Sequence, residues 1–528
     1  MAMQAASDQL SETYARLEER VLARDQKGAS DAYYDLVRQG RPLDEIILEA
    51  VKVHGPYTHV PYHERIDEGF VNFVNNDHCL LSARATWHLA KMLPAELAAL
   101  PMAQTIWYIP TGLDIWRQKI LKAPGHYARG YTPPPGPPPA PTVYWPDQEP
   151  EVLDGPLEER LGRWLTLVHR GQVLPAYRVF LGLLRNEPER ERVMAELVFA
   201  GLIDVQDRML LNRSYTTGHK SYRARATVEL ARAVGWADAH PVIYAGALDM
   251  AVGPRWYSTY ELACNVITSH IDGAVISAIP YSGTSEAERA LWGNADGLTP
   301  DEAERLITAI IREPEPGYLE VLAEYLKAGK SVRHLIDAIQ IGAAQVVLET
   351  GHPNNFSMSQ HCYEYCNNLR WFYDNFEHPQ RIKLLFVAAS FLNRAAHHQA
   401  NTAGNGANEI RVPAAAAKAS PAQLLDRVEQ AILALDTAES VGWTQAYIES
   451  DADRAPLVER LALAACKTGN DPHNQEIAQC FLEDYGRSTS ADKERLLLAS
   501  AHHTAGHRKY GDPLACFNRF AEAFGLPH

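Results

Sequence analysis

The stretch "TTGHKSYRARATVELARAV", residues 216–234, decides the reading of the fold, because a counterpart stands earlier as "NDHCLLSARATWHLAKML", residues 76–93. Setting His78 against His219 aligns His, Ala, Arg, Ala, Thr, Leu and Ala without a gap, with Lys91 against Arg232; the offset is 219 − 78 = 141. Nearly the same step, 361 − 219 = 142, lands on "SQHCYEYCNNLRWFYDNF", where His361 and Cys362 repeat the pair His78 and Cys79. A further match closes the chain: in "TAGHRKYGDPLACFNRFAEAF", Thr504, Gly506, His507, Arg508 and Tyr510 repeat Thr, Gly, His, a basic residue and Tyr, and 507 − 361 = 146. The pattern reads as four diverged copies of one unit, each with a histidine at the mouth of a helix.

The surrounding sequence is helical in period. Apolar residues recur at spacings of three and four in 43–54, 192–210, 332–351, 456–469 and 491–502, and no sustained strand alternation stands out. Each of these helices precedes one of the histidines. After the histidine a second helix follows, with Leu81, Ala85, Leu89 and Met92 on one face in the first copy and Tyr222, Ala226, Leu230 and Ala233 in the second. A third helix, often entered through Pro, is expected over 102–120, 241–252 and 379–398. Units of this kind bury faces that none could bury alone, so the expected fold is an all-α helical repeat array of about four three-helix units forming a superhelix or a closed ring around a central cavity. The divisions are 1–130, 151–298, 299–398 and 421–528, with a Pro-rich linker at 131–150 and a Gly- and Asn-rich loop at 399–420. Near the third division, "DGLTPDE" predicts a helix start with Thr299 as its N-cap.

Composition bounds the function. A chain of 528 residues that is 46% hydrophobic and 22% charged can build a sizeable core without staples. No run reaches the roughly 20 apolar residues needed to span a bilayer, and residues 1–10 lack a secretory pattern, so a cytoplasmic location is expected. Seven scattered cysteines do not make a disulfide framework. The net charge of −15 argues against nucleic-acid and anionic-membrane partners, which need a basic surface. Phosphate-binding glycine loops, the G-x-S-x-G elbow, H-E-x-x-H, zinc-finger spacing and C-x-x-C-H are all absent.

What remains is histidine, 21 of them. Imidazole is the commonest metal ligand and the side chain best suited to moving protons near neutral pH. The densest group is "HGPYTHVPYHE", with His54, Tyr57, His59, Tyr62, His63 and Glu64 in a stretch that Pro and Gly make a loop. His473 follows Asp471 at a helix end, and Asp204 and Asp207 hold the comparable place in the second copy. Mixed His and carboxylate donors suit an open iron site. The candidate metal ligands are therefore His59, His63, His78, His219, His361, His473 and His507, for iron or another transition metal, with non-covalent haem as a further cofactor candidate. Tyr57, Tyr62, Tyr222 and Tyr510 are candidates for proton delivery or substrate hydrogen bonding. Against each stands a structural reading: a histidine at a helix mouth caps the helix, the shared "ARAT" is a packing surface whose Arg84 and Arg225 bridge to carboxylates, and Cys362 and Cys366 are core residues rather than chelators.

The histidine-led helix followed by a Pro-entered helix, as in "QHCYEYCNNLRWFYDNFEHPQRIKLLFVAASFL" over 360–392, resembles the questin-oxidase-like family. The chain departs from that family's histidine cluster at the start of the first long helix, where only His78 and His88 stand, ten residues apart. The resemblance implies an all-helical, histidine-rich fold and Baeyer–Villiger or ring-opening oxidation of aromatic polyketides. Two readings follow. The first is a metal-dependent oxidoreductase, a monooxygenase in type, acting on a small apolar or aromatic molecule, with an electron-donor protein and a second copy of the chain as further partners. Trp107, Trp236, Trp256 and Trp371 would suit such a ligand and equally suit a core. The second is a non-catalytic helical-repeat binding protein with structural histidines. Convergence of the histidines on one point separates the two.

Overall fold

The computed structural model describes residues 2–55, 78–112, 148–205, 218–236, 240–251, 258–270, 297–351, 358–403, 410–469, 471–507 and 511–526. Among them the chain is all-α, with no strand. The first part holds α1 (Ala2–Leu22), α2 (Gln26–Arg38), α3 (Leu43–His54), α4 (Cys79–Leu89) and α5 (Leu100–Gly112). Next come α6 (Leu157–His169), α7 (Val173–Leu183), α8 (Arg190–Ile203), α9 (His219–Val234), α10 (His240–Ala247) and α11 (Ser258–His270). Then follow α12 (Pro300–Arg312), α13 (Gly317–Lys327), α14 (Val332–Leu348), α15 (Met358–Asn375) and α16 (Arg381–Ala403). The last part holds α17 (Pro421–Leu433), α18 (Thr437–Glu449), α19 (Ala455–Lys467), α20 (His473–Arg487), α21 (Glu494–Gly506) and α22 (Ala515–Phe524).

Local signals account for several of the boundaries. Thr299 caps α12 as expected, in a full capping box with Glu302 and with Pro300 at the first position. Ser420 and Gln423 do the same for α17. Asp25 opens α2 by accepting a hydrogen bond from Gly28 N–H at 2.9 Å. The expected loop at 399–420 is in part helical, since α16 continues to Ala403 and a 3-10 turn occupies Ala414–Lys418. The Pro-rich stretch 131–146 lies outside the described residues. No helix among the described residues is long and apolar enough to cross a membrane.

Four helices make the centre. α4 packs on α9 and α20, and α15 packs on the same two. Each lies against the helix before it in the chain and the helix after it: α3 and α5, α8 and α10, α14 and α16, α19 and α21. Their contacts fall into layers at equal distance from four histidines. At the histidines themselves, the rings of His78, His219, His361 and His473 meet. Six residues on, Arg84 Nη1 donates to Gln479 Oε1 at 3.0 Å and Arg225 Nη1 to Asn367 Oδ1 at 2.8 Å. Ten residues on stand His88, Glu229, Trp371 and Glu483, with His88 Nε2 3.1 Å from Glu229 Oε2. Equal offsets meet at equal depth only if all four helices run the same way. All four N-termini therefore open on one point.

One expectation changes here. His507 does not stand at the mouth of a helix; it is the C-cap of α21, and the fourth place in the core belongs to α20, opened by His473. The helix after His507, α22, is amphipathic and turns its buried Cys516, Phe517, Phe520 and Ala521 toward α5 and the N-terminal helices. There Phe520 and Phe524 meet Tyr34 edge-on, and Arg519 pairs with Asp31 at 2.5 Å. The short Thr-Gly-His match at 504–507 falls on a helix end instead of a helix start.

Candidate metal centre

Each central histidine is placed by the backbone around it. His78 is the N-cap of α4, its N–H donating to Tyr108 Oη on α5 at 3.3 Å and its carbonyl accepting from Ser82 N–H at 2.7 Å. His219 is the first residue of α9, after Gly218 at φ 96°, a conformation that L side chains rarely adopt. Gly201 lets α8 press on that first turn, since a Cβ there would come within 2.7 Å of Ser221 N. His361 lies in the first turn of α15. Asp471 accepts from His473 N–H at 3.0 Å and so turns the chain into α20.

The result is convergence. Ring centroids lie 4.2 Å apart for His78 and His473, 5.0 Å for His78 and His219, 4.8 Å for His219 and His361, and 5.3 Å for His361 and His473. One donor nitrogen from each of His78, His219 and His473 lies within 4.8 Å of the other two. A tetrahedral ion with bonds of about 2.0–2.1 Å holds its donors about 3.4 Å apart, so small ring rotations close the set. These buried histidines can hold a metal ion.

Two carboxylates steady the rings from behind. His78 Nδ1 is 2.8 Å from Glu476 Oε2, and His473 Nδ1 is 2.7 Å from Asp471 Oδ1. With Nδ1 engaged, Nε2 is the nitrogen each ring has left for an ion, and carboxylate backing of this kind fixes the tautomer of metal-bound histidines. Burial favours neutral imidazole. It pushes the His219 ring well below the usual histidine range, with the neighbouring histidines adding to the effect, and neutral imidazole is the ligating form. Burial pushes Glu476 up to about 8, and burial with the nearby Glu476 charge lifts Glu364 well above the usual carboxylate range. Burial also opposes ionisation of Asp471, yet the adjacent His473 and His507 hold its carboxyl well below that range. Four helix N-termini point their positive ends here, and the Asp471 carboxylate offsets that field.

Of the residues singled out in the sequence, the structure unites His78, His219, His361 and His473, with His507 next to His473 at 5.5 Å between rings. Tyr222 lies beneath His219, its hydroxyl donating to the His361 carbonyl at 3.4 Å, and burial keeps it protonated. Tyr57, His59, Tyr62, His63 and Tyr510 lie outside the described residues. Asp204 pairs instead with Lys220 at 2.5 Å. Cys362 and Cys366 are fully buried, and burial pushes the Cys362 thiol far up, so they are core residues. The sequence reading missed Glu364 and Glu476. Their signal was there, since each stands three residues after its histidine.

Below the histidines the centre is closed by charge. Arg84 Nε donates to Glu229 Oε2 at 2.7 Å, and Arg225 Nη2 to Glu483 Oε1 at 2.8 Å. These are the carboxylate bridges expected of the two "ARAT" arginines. Comparison of the chain with protein-family models, curated proteins and solved structures found no match.

Proposed function

We propose that the protein is a metal-dependent oxidoreductase, oxygenase-like, whose ion is held by His78, His219 and His473 and whose substrate is a small apolar or aromatic molecule. The observation that carries this reading is the meeting of three buried imidazoles from helices more than a hundred residues apart in the chain, two of them backed by carboxylates. Nitrogen donors select a first-row transition metal such as iron over magnesium or calcium. Ring spacings of 4.2–5.3 Å favour a bare ion, since a porphyrin does not fit between them. A redox-active ion so held would supply the oxidising chemistry.

The remaining roles fall to the chain's own groups. Glu476 and Asp471 orient two of the ligands, Tyr222 offers a protonated hydroxyl beside His219 and His361, and Glu364 with Glu476 can carry a proton within the core. The likeness of 360–392 to the questin-oxidase-like family agrees with oxidative chemistry. Four copies of one unit closing round a shared centre would explain why each copy supplies one histidine. A pure binding scaffold would spread its histidines along the array.

Elemental analysis of the purified protein tests the reading. The expected result is at least one equivalent of iron, copper or manganese per chain, reduced by at least one equivalent in each of His78→Ala, His219→Ala and His473→Ala while helical content is kept. A protein that stays metal-free after reconstitution overturns it.

A further inference from the structure

A second set of donors adjoins the first. Asp471 Oδ1 lies 2.7 Å from His473 Nδ1 and 3.6 Å from His507 Nε2, and the donor atoms of these three residues all lie within 4.8 Å of one another. All three are buried. They come from two separate places: Asp471 and His473 begin α20, and His507 ends α21, where its N–H bonds the His503 carbonyl at 2.8 Å. His503 in turn approaches the His473 carbonyl at 3.0 Å, which ties the two helix ends together. The backbone thus holds the set from both sides.

His473 is common to both sets. Its imidazole has two nitrogens, and Nδ1 already faces Asp471 at 2.7 Å, which leaves Nε2 for the first set. We propose that Asp471, His473 and His507 hold a second divalent transition-metal ion, bridged to the first by the imidazole of His473. The inference rests on the first site being a metal site. In the bridged state Nδ1 bonds the second ion and Nε2 the first, the ring proton leaves to solvent, and no electron is transferred. The bridging ring then carries one negative charge and Asp471 another. Two nitrogens and one carboxylate oxygen suit zinc, cobalt, copper or iron, whereas magnesium and calcium prefer oxygen.

Titration of the metal-stripped full chain with Co2+, followed by absorption and by metal content after desalting, tests this. The expected stoichiometry is two Co2+ per chain for the wild type, one for His507→Gln, one for His219→Ala, and none for His473→Ala, which removes the shared ligand. His507→Gln keeps a side chain of similar reach, so its fold can be checked by helical circular dichroism alongside. One Co2+ in the wild type, unchanged in His507→Gln and lost in His219→Ala, overturns the second position and leaves the first intact. Two Co2+ in both the wild type and His507→Gln also overturns it, since the second ion then lies elsewhere. No Co2+ in the wild type overturns both sites.

Discussion

The same four helices build two levels of different kinds. At the upper level, His78, His219, His361 and His473 bring together four imidazole rings that can bond an ion through lone pairs, and burial holds His219 neutral. Six to ten residues below, Arg84 and Arg225 meet Glu229 and Glu483, so that every charge has an opposite charge within about one side chain's reach. The lower level is complete in itself. The upper level collects imidazole donors, with Glu476 and Asp471 behind the rings and the buried Arg223 cation acting on His219 and Glu476. Architecture and site are distinguished here by the kind of group they gather, ion pairs below and imidazoles above, not by burial, since both levels are equally inside.

That contrast can be broken at either level. The largest effect is expected below: Arg225→Met removes the buried cation that bridges Glu483 and Asn367, leaving Glu483 to Arg487 and Arg84, and should cost about 3 kcal/mol in urea unfolding, while metal content per folded chain stays unchanged. A pH effect of nearly that size belongs to the buried histidines. Burial lowers His502 to about 4, so its folded value is below its unfolded one; the stability it contributes is present above about 6.5 and lost as pH falls toward 4. That loss is worth up to about 3 kcal/mol, and His502→Gln should flatten the stability profile across the same range.

Smaller effects sharpen the comparison. Glu476→Gln leaves the helices in place but weakens support for His78, and should reduce metal affinity by about 10–100-fold in a competition titration with a chelator. Cys362→Ala should leave metal affinity unchanged and cost about 1 kcal/mol, because it removes one buried sulfur from the core. A fall in metal content on that substitution would contradict the assignment of the cysteines.

Parts of this were legible beforehand. The helix at Leu43–His54 and the cap at Thr299 follow directly from period and capping chemistry, and both stand as expected. The alignment of His78, His219 and His361 puts three histidines at equivalent places, the first two through the shared "ARAT" and the third through the His-Cys pair and the spacing, and in the structure their rings meet. His473 was visible only as a histidine after an aspartate. The helix it opens, with Gln479 and Glu483 where the other central helices carry Arg84, Arg225, Glu229 and Trp371, shares almost no identity with them; its chemistry is complementary, since arginines on two helices need acceptors on the opposite ones. Complementarity leaves no repeat to align. For the same reason the pairing of His78 with Glu476, 398 residues away, had no local signature. The match at His507 misled because four residues around a glycine fit a helix end as well as a helix start.

X-ray absorption at the metal edge of the purified protein tests the central claim most directly. The account predicts nearest-neighbour scattering from at least three imidazole nitrogens at about 2.0–2.1 Å, and no metal edge in His473→Ala. A sulfur shell at about 2.3 Å, or no bound metal to measure, would contradict it.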